Sequence, residues 1–569
     1  MDAIETLEEA IDAQRTSLIG YEQPSEVLAF ETVRAIDHVY CRQLFPDRRD
    51  KGDIDRRQRQ IMSWGVNQAL RRILPKELHD GPFRFFSSTR ETREAANHFL
   101  FSCGVLAMAE QQASLLREGL LSASLEPVTH TKFRRFNRNI LSLSATTPSV
   151  YSEAIGRRGL RWSSEQSMLA DSGRERAIEQ RHMEILPELL GHVQVFRESL
   201  MYFITTERSS AHFYEWAEIY LRRMSHQDMI GRNEVIGGRP FDDYVRVLTA
   251  LSARAQMQLC FAGLAKDHHP RLTYRNLLTG FLELETLVLD VATRLDADTG
   301  EVSAILDHLM LQPQNMSIHL DQPSPAWAPV IRTSVSNCLL PSYGLDINPF
   351  HFLLNDLRAK YEKDWFRLAN TREQRWINEL ELLFPHDRWR TNGRNVKLRD
   401  GRQEVTDVDF AAYDRDTAEL AVFQLKWQQP VGIDHKRRRS AGDNLLTQCN
   451  LWIRRVTAWC EKYGVGELTR RLSLPSVPPP RIRLFVLGRY SAHFSGFGGR
   501  DENAVWADWA HFKKICIENP SASVLQLADL LAAEIEKAQA AIEKESFALP
   551  LPDLAVIVNP IAAPASRKR

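Results

Sequence analysis

EVTDVDFAAYDRDTAELAVFQLKW, residues 404–427, decides how the second half of this 569-residue chain is read. Apolar and polar residues alternate over 404–413 and again over 418–427. Between them Asp414-Arg415-Asp416-Thr417 supply turn-forming side chains, so the stretch predicts a β-hairpin. Because side chains alternate across a strand, Asp407 and Asp409 share one face, and Gln424 and Lys426 share one face of the partner. Pairing about a turn near Asp416 sets Asp409 opposite or diagonal to Gln424, within reach of cross-strand contact. Val422, Phe423 and Leu425 are expected to pack around them.

A carboxylate, an amide and an ammonium brought together in this way suit phosphodiester hydrolysis. That reaction uses a divalent cation to activate water and to neutralise charge on the phosphorane, and hard oxygen ligands suit Mg²⁺ or Mn²⁺. Asp409 supplies a carboxylate, and Lys426 an ammonium that orients or polarises the attacking water and stabilises developing charge.

The residues Asp407-Val408-Asp409-Phe410 followed by Gln424-Leu425-Lys426 resemble the PD-(D/E)XK nuclease superfamily, whose sites combine a helix Glu, a strand Asp and an E-x-K or Q-x-K on the next strand. Upstream, Thr371-Arg372-Glu373-Gln374-Arg375-Trp376-Ile377 opens an amphipathic helix continued by Leu380, Leu383 and Phe384. Glu373 is taken as the counterpart of the family's helix Glu, with Glu379 and Glu381 as alternatives. The resemblance covers residues 371–459 and rests on a short motif read in order and spacing. It implies a restriction-endonuclease-like αβββαβ core with residues 395–398 as its first strand. It also implies Asp409, Gln424, Lys426 and Glu373 as catalytic residues, and Asp409, Gln424 and Asp407 as ligands of Mg²⁺ or Mn²⁺. The departure from the commoner E-x-K is Gln424, a neutral amide and a weaker metal ligand, for which Asp407 is expected to restore negative charge.

Directly after the Gln-Leu-Lys strand comes the basic run Lys436-Arg437-Arg438-Arg439, and residues 434–500 hold 13 Lys plus Arg against 4 Asp plus Glu. Such a local field attracts a phosphate backbone without reading sequence, so these four residues are the expected nucleic-acid contacts. The helix of residues 445–456, with Gln448, Asn450 and Trp452, is expected to line the same cleft or, for Trp452, the core.

Outward from this region, 569 residues exceed what one hydrophobic core usually organises, so the chain is expected to be multidomain. Residues 1–311 read as helix after helix, with apolar residues at three- and four-residue spacing (Ile4, Leu7, Ile11; Tyr244, Leu248, Leu251). An all-α region of one or two subdomains is predicted there, broken near Glu126-Pro127, Thr147-Pro148 and Gly237 to Pro240. Residues 312–349 shift to Pro, Ser, Asn and Gly and read as a linker. Residues 350–548 then read as the α/β nuclease-like domain, and 549–569 as a flexible tail.

Hydrophobic residues at 43% and charged residues at 26% match an ordinary packed protein rather than a disordered one. Apolar stretches such as residues 99–109 fall short of the roughly 20 residues a membrane-spanning helix requires. The acidic N-terminus (Asp2, Glu5, Glu8, Glu9) does not read as a secretion signal. A cytoplasmic protein without a membrane span is therefore expected. Seven cysteines without a C-x-x-C pair suggest neither a disulfide framework nor a zinc knuckle. Lys plus Arg and Asp plus Glu are equal at 73, so nucleic-acid contact must come from local charge.

Other features are weaker. His212 and Glu215 sit one turn apart but lack a second such pair in sequence, and Asp267-His268-His269-Pro270 reads as a polar helix end. Gly496-Phe497-Gly498-Gly499 lacks the Lys-Ser/Thr ending of a phosphate loop. Arg134-Arg135-Phe136-Asn137-Arg138 and Arg157-Arg158-Gly159-Leu160-Arg161-Trp162 mix Arg with aromatics, as either nucleic-acid surfaces or amphipathic faces do. The expectation overall is an Mg²⁺-dependent endonuclease acting on DNA, with defence against foreign DNA or repair as its setting by analogy. The helical half is then a recognition, regulatory or assembly module, through which the chain pairs with itself or with a protein partner. The alternative is a catalytically inactive, nuclease-like nucleic-acid-binding or scaffold protein.

Overall fold

Asp2 opens the first helix with a capping box, its side chain and that of Glu5 each accepting a backbone N–H, and a helix-rich unit follows. The structure, a computed structural model, describes residues 2–21, 26–41, 44–45, 54–81, 83–127, 139–146, 172–196, 200–224, 230–322, 325–427, 435–475, 480–492, 499–540 and 546–559. The helices α1 (Ala3–Ser17), α2 (Glu26–Cys41), α3 (Arg56–Trp64) and α4 (Val66–Ile73) surround α5 (Arg90–Arg117). Helix α5 is long and apolar enough to cross a membrane, yet most of it is buried among these neighbours. The approach of α3 to α5 is closest at Gly104, where a Cβ would lie 2.0 Å from the Ile61 carbonyl oxygen, so only glycine fits that crossing.

This half is not all-α. Strands β1 (Leu121–Pro127) and β2 (Asn139–Ala145) pair antiparallel, and β3 (Val193–Phe196) and β4 (Leu200–Phe203) form a ribbon. Around them lie α6 (Ser172–Gly191), α7 (Glu207–Met224) and α8 (Phe241–His268), with the short pair β5 (Val235–Ile236) and β6 (Arg239–Pro240) between α7 and α8. The expected break at Glu126-Pro127 thus falls at a strand end, and that at Gly237 to Pro240 in a hairpin. The break at Thr147-Pro148 lies outside the described residues, as do both Arg-aromatic clusters.

Residues 312–349 are not a linker. Strands β7 (Thr279–Glu283), β8 (Met310–Leu311), β9 (Val330–Arg332) and β10 (Asn337–Pro341) form a sheet of order β7-β10-β9-β8. Val330, Ile331, Cys338, Leu339 and Leu340 are buried. Helices α9 (Leu284–Leu295), α10 (Thr299–Leu306), α11 (Met316–Leu320), α12 (Ser342–Asp346), α13 (Pro349–Lys360) and α14 (Glu362–Arg367) complete this part. The small residues there permit close packing rather than slack: a Cβ on Gly344 would lie 2.0 Å from the Ala328 carbonyl oxygen. Asp356 of α13 is fully buried and is held by His308 Nδ1 at 2.6 Å and Lys360 Nζ at 2.9 Å. Because Phe350, Leu353, Leu357 and Trp365 pack into this same cluster, the α/β unit begins after α14, not at residue 350.

The α/β unit opens with α15 (Ala369–Glu381). Its strands are β11 (Trp389–Thr391), β12 (Val396–Asp400), β13 (Gln403–Val408), β14 (Phe410–Asp414), β15 (Glu419–Lys426), β16 (Arg481–Gly488) and β17 (Ala504–Asp508). Five of them form a mixed sheet of order β11-β14-β15-β16-β17, antiparallel up to β15 and parallel beyond it. Helix α16 (His435–Tyr463) packs with α17 (Val465–Arg471) on one face, while α15, α18 (Trp509–Glu518) and α19 (Val524–Ala540) cover the other. The two-residue period of β15 divides its apolar side chains accordingly: Leu420 and Val422 face α16, and Ala421, Phe423 and Leu425 face the α15 side.

Two expectations are corrected here. The strand expected over 404–413 is interrupted at Asp409, so that β13 pairs with β12 in a separate two-stranded ribbon. The strand expected at 395–398 therefore joins that ribbon, and β11 takes the sheet edge instead. The tail is not wholly loose either. Strands β18 (Phe547–Leu551) and β19 (Leu554–Asn559) form a hairpin, and β19 runs parallel to β2 with Val556 opposite Leu141. Leu549, Leu551 and Val556 are buried there, whereas residues 560–569 lie outside the described residues.

Candidate active site

The interruption at Asp409 creates the site. Phe410 pairs with Phe423 across β14 and β15, which puts Asp409 opposite Gln424, and the Asp409 N–H still donates to the Phe423 carbonyl at 3.2 Å. Along β15 the row of side chains that begins with Leu420 and Val422 continues as Gln424 and Lys426, so the apolar face becomes polar at its C-terminal end.

Asp409 is buried and richly bonded. Its Oδ2 accepts from the Gln424 side-chain amide and, at 2.7 Å, from the Leu425 N–H. Its Oδ1 accepts from Asn395 Nδ2 at 2.7 Å, and the same nitrogen donates to Asp407 Oδ2 at 2.9 Å. Burial pushes the Asp409 carboxyl up to about 7; the Leu425 N–H opposes this, Asp407 and Glu373 add to it and Lys426 opposes it. Glu373, half-buried on α15, is likewise raised, first by burial and then by Asp407, with Lys426 acting against the shift. The three carboxylates therefore feel one another, and all of them feel or neighbour the same ammonium. Among the described residues Lys426 closes no ion pair.

Glu379 and Glu381, the alternatives on this helix, are engaged elsewhere. Burial alone would raise the Glu379 carboxyl, but Arg489 at 2.8 Å and Lys513 at 3.1 Å outweigh it and hold it low. The Glu381 side chain accepts from the Thr391 hydroxyl. Arg489 also lies over Trp376, Trp427 and Trp509, and its N–H donates to the Lys426 carbonyl at 3.0 Å, pinning the strand end to α15. Asn395 and Arg489 were not singled out in the sequence. Only the place of Asn395 at the start of the strand expected at 395–398 hinted at it.

Helix α16 fastens the ribbon. The Trp452 indole N–H donates to the Asp407 carbonyl at 2.7 Å and that of Trp459 to the Arg399 carbonyl at 3.0 Å, so Trp452 is a core residue with a polar task. Asn450 binds the Gly499 carbonyl at 2.7 Å; Gly496, Phe497 and Gly498 lie outside the described residues. Of the basic run, the side chains of Lys436 and Arg437 lie outside the described residues, Arg438 is partnered, and Arg439 is ion-paired with Glu118 at the end of α5.

Among the described residues no three His, Cys, Asp or Glu side chains form a ready-made ion cage. Two carboxylates joined by an amide carbonyl nevertheless suit Mg²⁺, which keeps several waters and takes only one or two protein carboxylates plus substrate phosphates. The donor set at Asp407, Asp409 and Gln424 fits that ion. His212 does find a partner, His182 Nδ1 at 3.2 Å, but the other ring nitrogen of His182 faces Cys260. These three do not converge on one point.

Compared with family models, with curated proteins and with solved structures, the chain has no match in any of the three.

Proposed function

We propose that the C-terminal α/β unit is a metal-dependent deoxyribonuclease of the PD-(D/E)XK type with a Q-x-K strand. The helix-rich unit then serves recognition, regulation or assembly. The observation that carries this reading is the meeting of Glu373, Asp407, Asp409, Gln424 and Lys426 at one end of the sheet. Within the five-stranded sheet, α15 is followed by three of its strands, β11, β14 and β15, then by helices α16 and α17, and then by β16, with β14 and β15 antiparallel and β16 parallel to β15, which supports the reading.

When bound, Mg²⁺ or Mn²⁺ would neutralise charge at the scissile phosphate and lower the pKa of its water. Asp409 and Asp407 would hold the ion through carboxylate oxygens. Gln424 does so through its carbonyl oxygen, since its amide nitrogen is spent on Asp409. Lys426 presents an ammonium to the attacking water and to the phosphate oxygens as charge develops. Glu373, whose carboxyl burial and then Asp407 raise above its ordinary value, stands at the rim of the site.

The test is incubation of purified protein with plasmid and linear DNA in Mg²⁺, in Mn²⁺ and in chelator. Cleavage is expected only with metal and is expected to vanish in Asp409→Ala. Protein that cuts neither DNA nor RNA with either ion overturns the reading. One observation favours the second reading, binding without cutting: with its carboxyl pushed up to about 7, Asp409 is only partly ionised at pH 7, and both its oxygens already accept hydrogen bonds. That protein would retain DNA affinity and show no metal-dependent cleavage.

A further inference from the structure

Ribbon β12–β13 leaves the sheet at Asp409 and carries Asp407 at its base. Its inner side is fixed: Leu398 is fully buried, and the Trp452 and Trp459 indoles bind its backbone carbonyls. The side chains left outside are strongly polar, and their charges do not cancel. Both acidic residues near its tip are neutralised within the fold, Asp400 by Lys462 at 2.5 Å and Glu404 by Lys397 at 2.8 Å. Arg394, Arg399 and Arg402 are exposed, and among the described residues none of the three has an ion pair or a side-chain hydrogen bond. Three guanidinium groups without a protein partner among the described residues therefore lie along this ribbon, Arg394 just before β12, Arg399 within it and Arg402 in its turn. Arg394 adjoins Asn395, which bridges the two site carboxylates. Five residues of chain span at most about 17 Å, which bounds the distance from Arg394, in the bend before β12, to Arg399 within it. That is about half a turn of B-form duplex, whose turn rises about 34 Å.

Guanidinium groups are the side chains best suited to phosphate oxygens, which they meet with paired N–H donors. A row of them without protein partners beside an acidic site has the charge and reach to follow a nucleic-acid strand into that site. By contrast, Arg439 at the start of α16 is already paired with Glu118.

We infer that ribbon β12–β13, through Arg394, Arg399 and Arg402, is the surface that grips the phosphodiester backbone of a DNA duplex. The nature of the partner rests on the nuclease reading; the measurement does not, because it follows binding and not cleavage. Fluorescence anisotropy with a short blunt DNA duplex of unrelated sequence, titrated at several salt concentrations, gives affinity and its salt slope for the full-length protein. The triple variant R394A/R399A/R402A is expected to weaken binding at every sequence tried. It should also reduce the slope of log affinity against log salt by about 2.7, since each phosphate contact contributes about 0.9. The double variant R438A/R439A is expected to change the slope by less than the triple. All three ribbon arginines are exposed, so circular dichroism and the melting curve should stay at the wild-type values.

A triple variant with wild-type affinity and slope overturns the inference, as does a wild-type protein that binds polyglutamate as tightly as DNA, or one that binds no DNA. A wild type that binds through the ribbon but never cuts sinks the nuclease reading and leaves this inference standing. One that cuts while the triple variant binds normally does the reverse.

Discussion

The two principal sheets of this chain are assembled in opposite ways. The five-stranded sheet behind the candidate site is drawn from a single run of sequence, β11 to β17, with β14 and β15 joined by a short turn. One of the two four-stranded sheets, β1-β2-β19-β18, joins β1 and β2 to the hairpin of residues 547–559. The first can be reasoned out from local alternation and turn residues; the second depends on partner choice between strands that no local signal connects. One sheet carries the proposed chemistry, whereas the other ties residues 121–145 to residues 547–559.

Removing residues 546–569 should produce the largest effect and tests the second sheet directly. Buried Leu549, Leu551, Leu554, Val556 and Val558 would be lost, on the order of 10 kcal/mol of apolar burial, comparable to the whole stability of a typical domain. Loss of cooperative melting and rapid proteolysis of the helix-rich unit are expected. A truncated protein that melts like the full chain would show that this hairpin is dispensable and the contrast between the sheets false.

The first sheet is tested at its strand ends. Lys426→Ala and Asp409→Ala are each expected to lower the single-turnover cleavage rate by about a hundredfold to a thousandfold. Asp407→Asn should give a partial loss, and Gln424→Glu should retain activity, since a carboxylate replaces a weaker ligand. If Asp409→Ala cuts as well as wild type, the site lies elsewhere.

Gly104→Ala should cost about 1–3 kcal/mol through overpacking of α5 against the Ile61 carbonyl, read as a lower melting temperature with cleavage unchanged at low temperature. Equal loss in both would mean that the two units respond as one.

The smallest effect concerns acid. Burial, aided by neighbouring His182 and Arg181, holds His212 down to about 4. A histidine depressed in the folded state binds its proton more readily when unfolded, so its contribution to stability is full above about pH 6.5 and is lost as pH falls toward 4. His212→Gln should flatten the melting temperature of the helix-rich unit across that window. An unchanged acid limb would assign the acid sensitivity to other groups.

Much of the α/β unit could be read from residues 404–427, because period-two alternation and the Asp-Arg-Asp-Thr turn fix the β14–β15 register that sets Asp409 opposite Gln424. The break at Asp409 could not, since the ribbon exists only because α16 supplies Trp452 and Trp459 to its carbonyls from far along the chain. Asn395 was hidden for the same reason: its contacts to Asp407 and Asp409 arise from the fold and not from a motif. Residues 312–349 were misread because Pro, Ser and Gly mark linkers by composition, whereas here Gly344 lets two buried segments touch. The strands β1 to β4 were hidden among helices, being short and partnered at long range. That Arg439 pairs with Glu118 at the end of α5 was not legible either, because the two residues are more than three hundred positions apart.

The pairing of β19 with β2 also bears on how the protein is made. Synthesis proceeds from the N-terminus, so the inner edge of β2 has no partner until the last strands emerge, roughly four hundred residues later. For that interval the nascent helix-rich unit carries an unprotected strand edge, the kind of surface on which chains associate with one another. Any truncated product, whether from a premature stop or from cleavage near residue 545, keeps that edge permanently, so incomplete copies are expected to aggregate while the full-length chain stays dispersed.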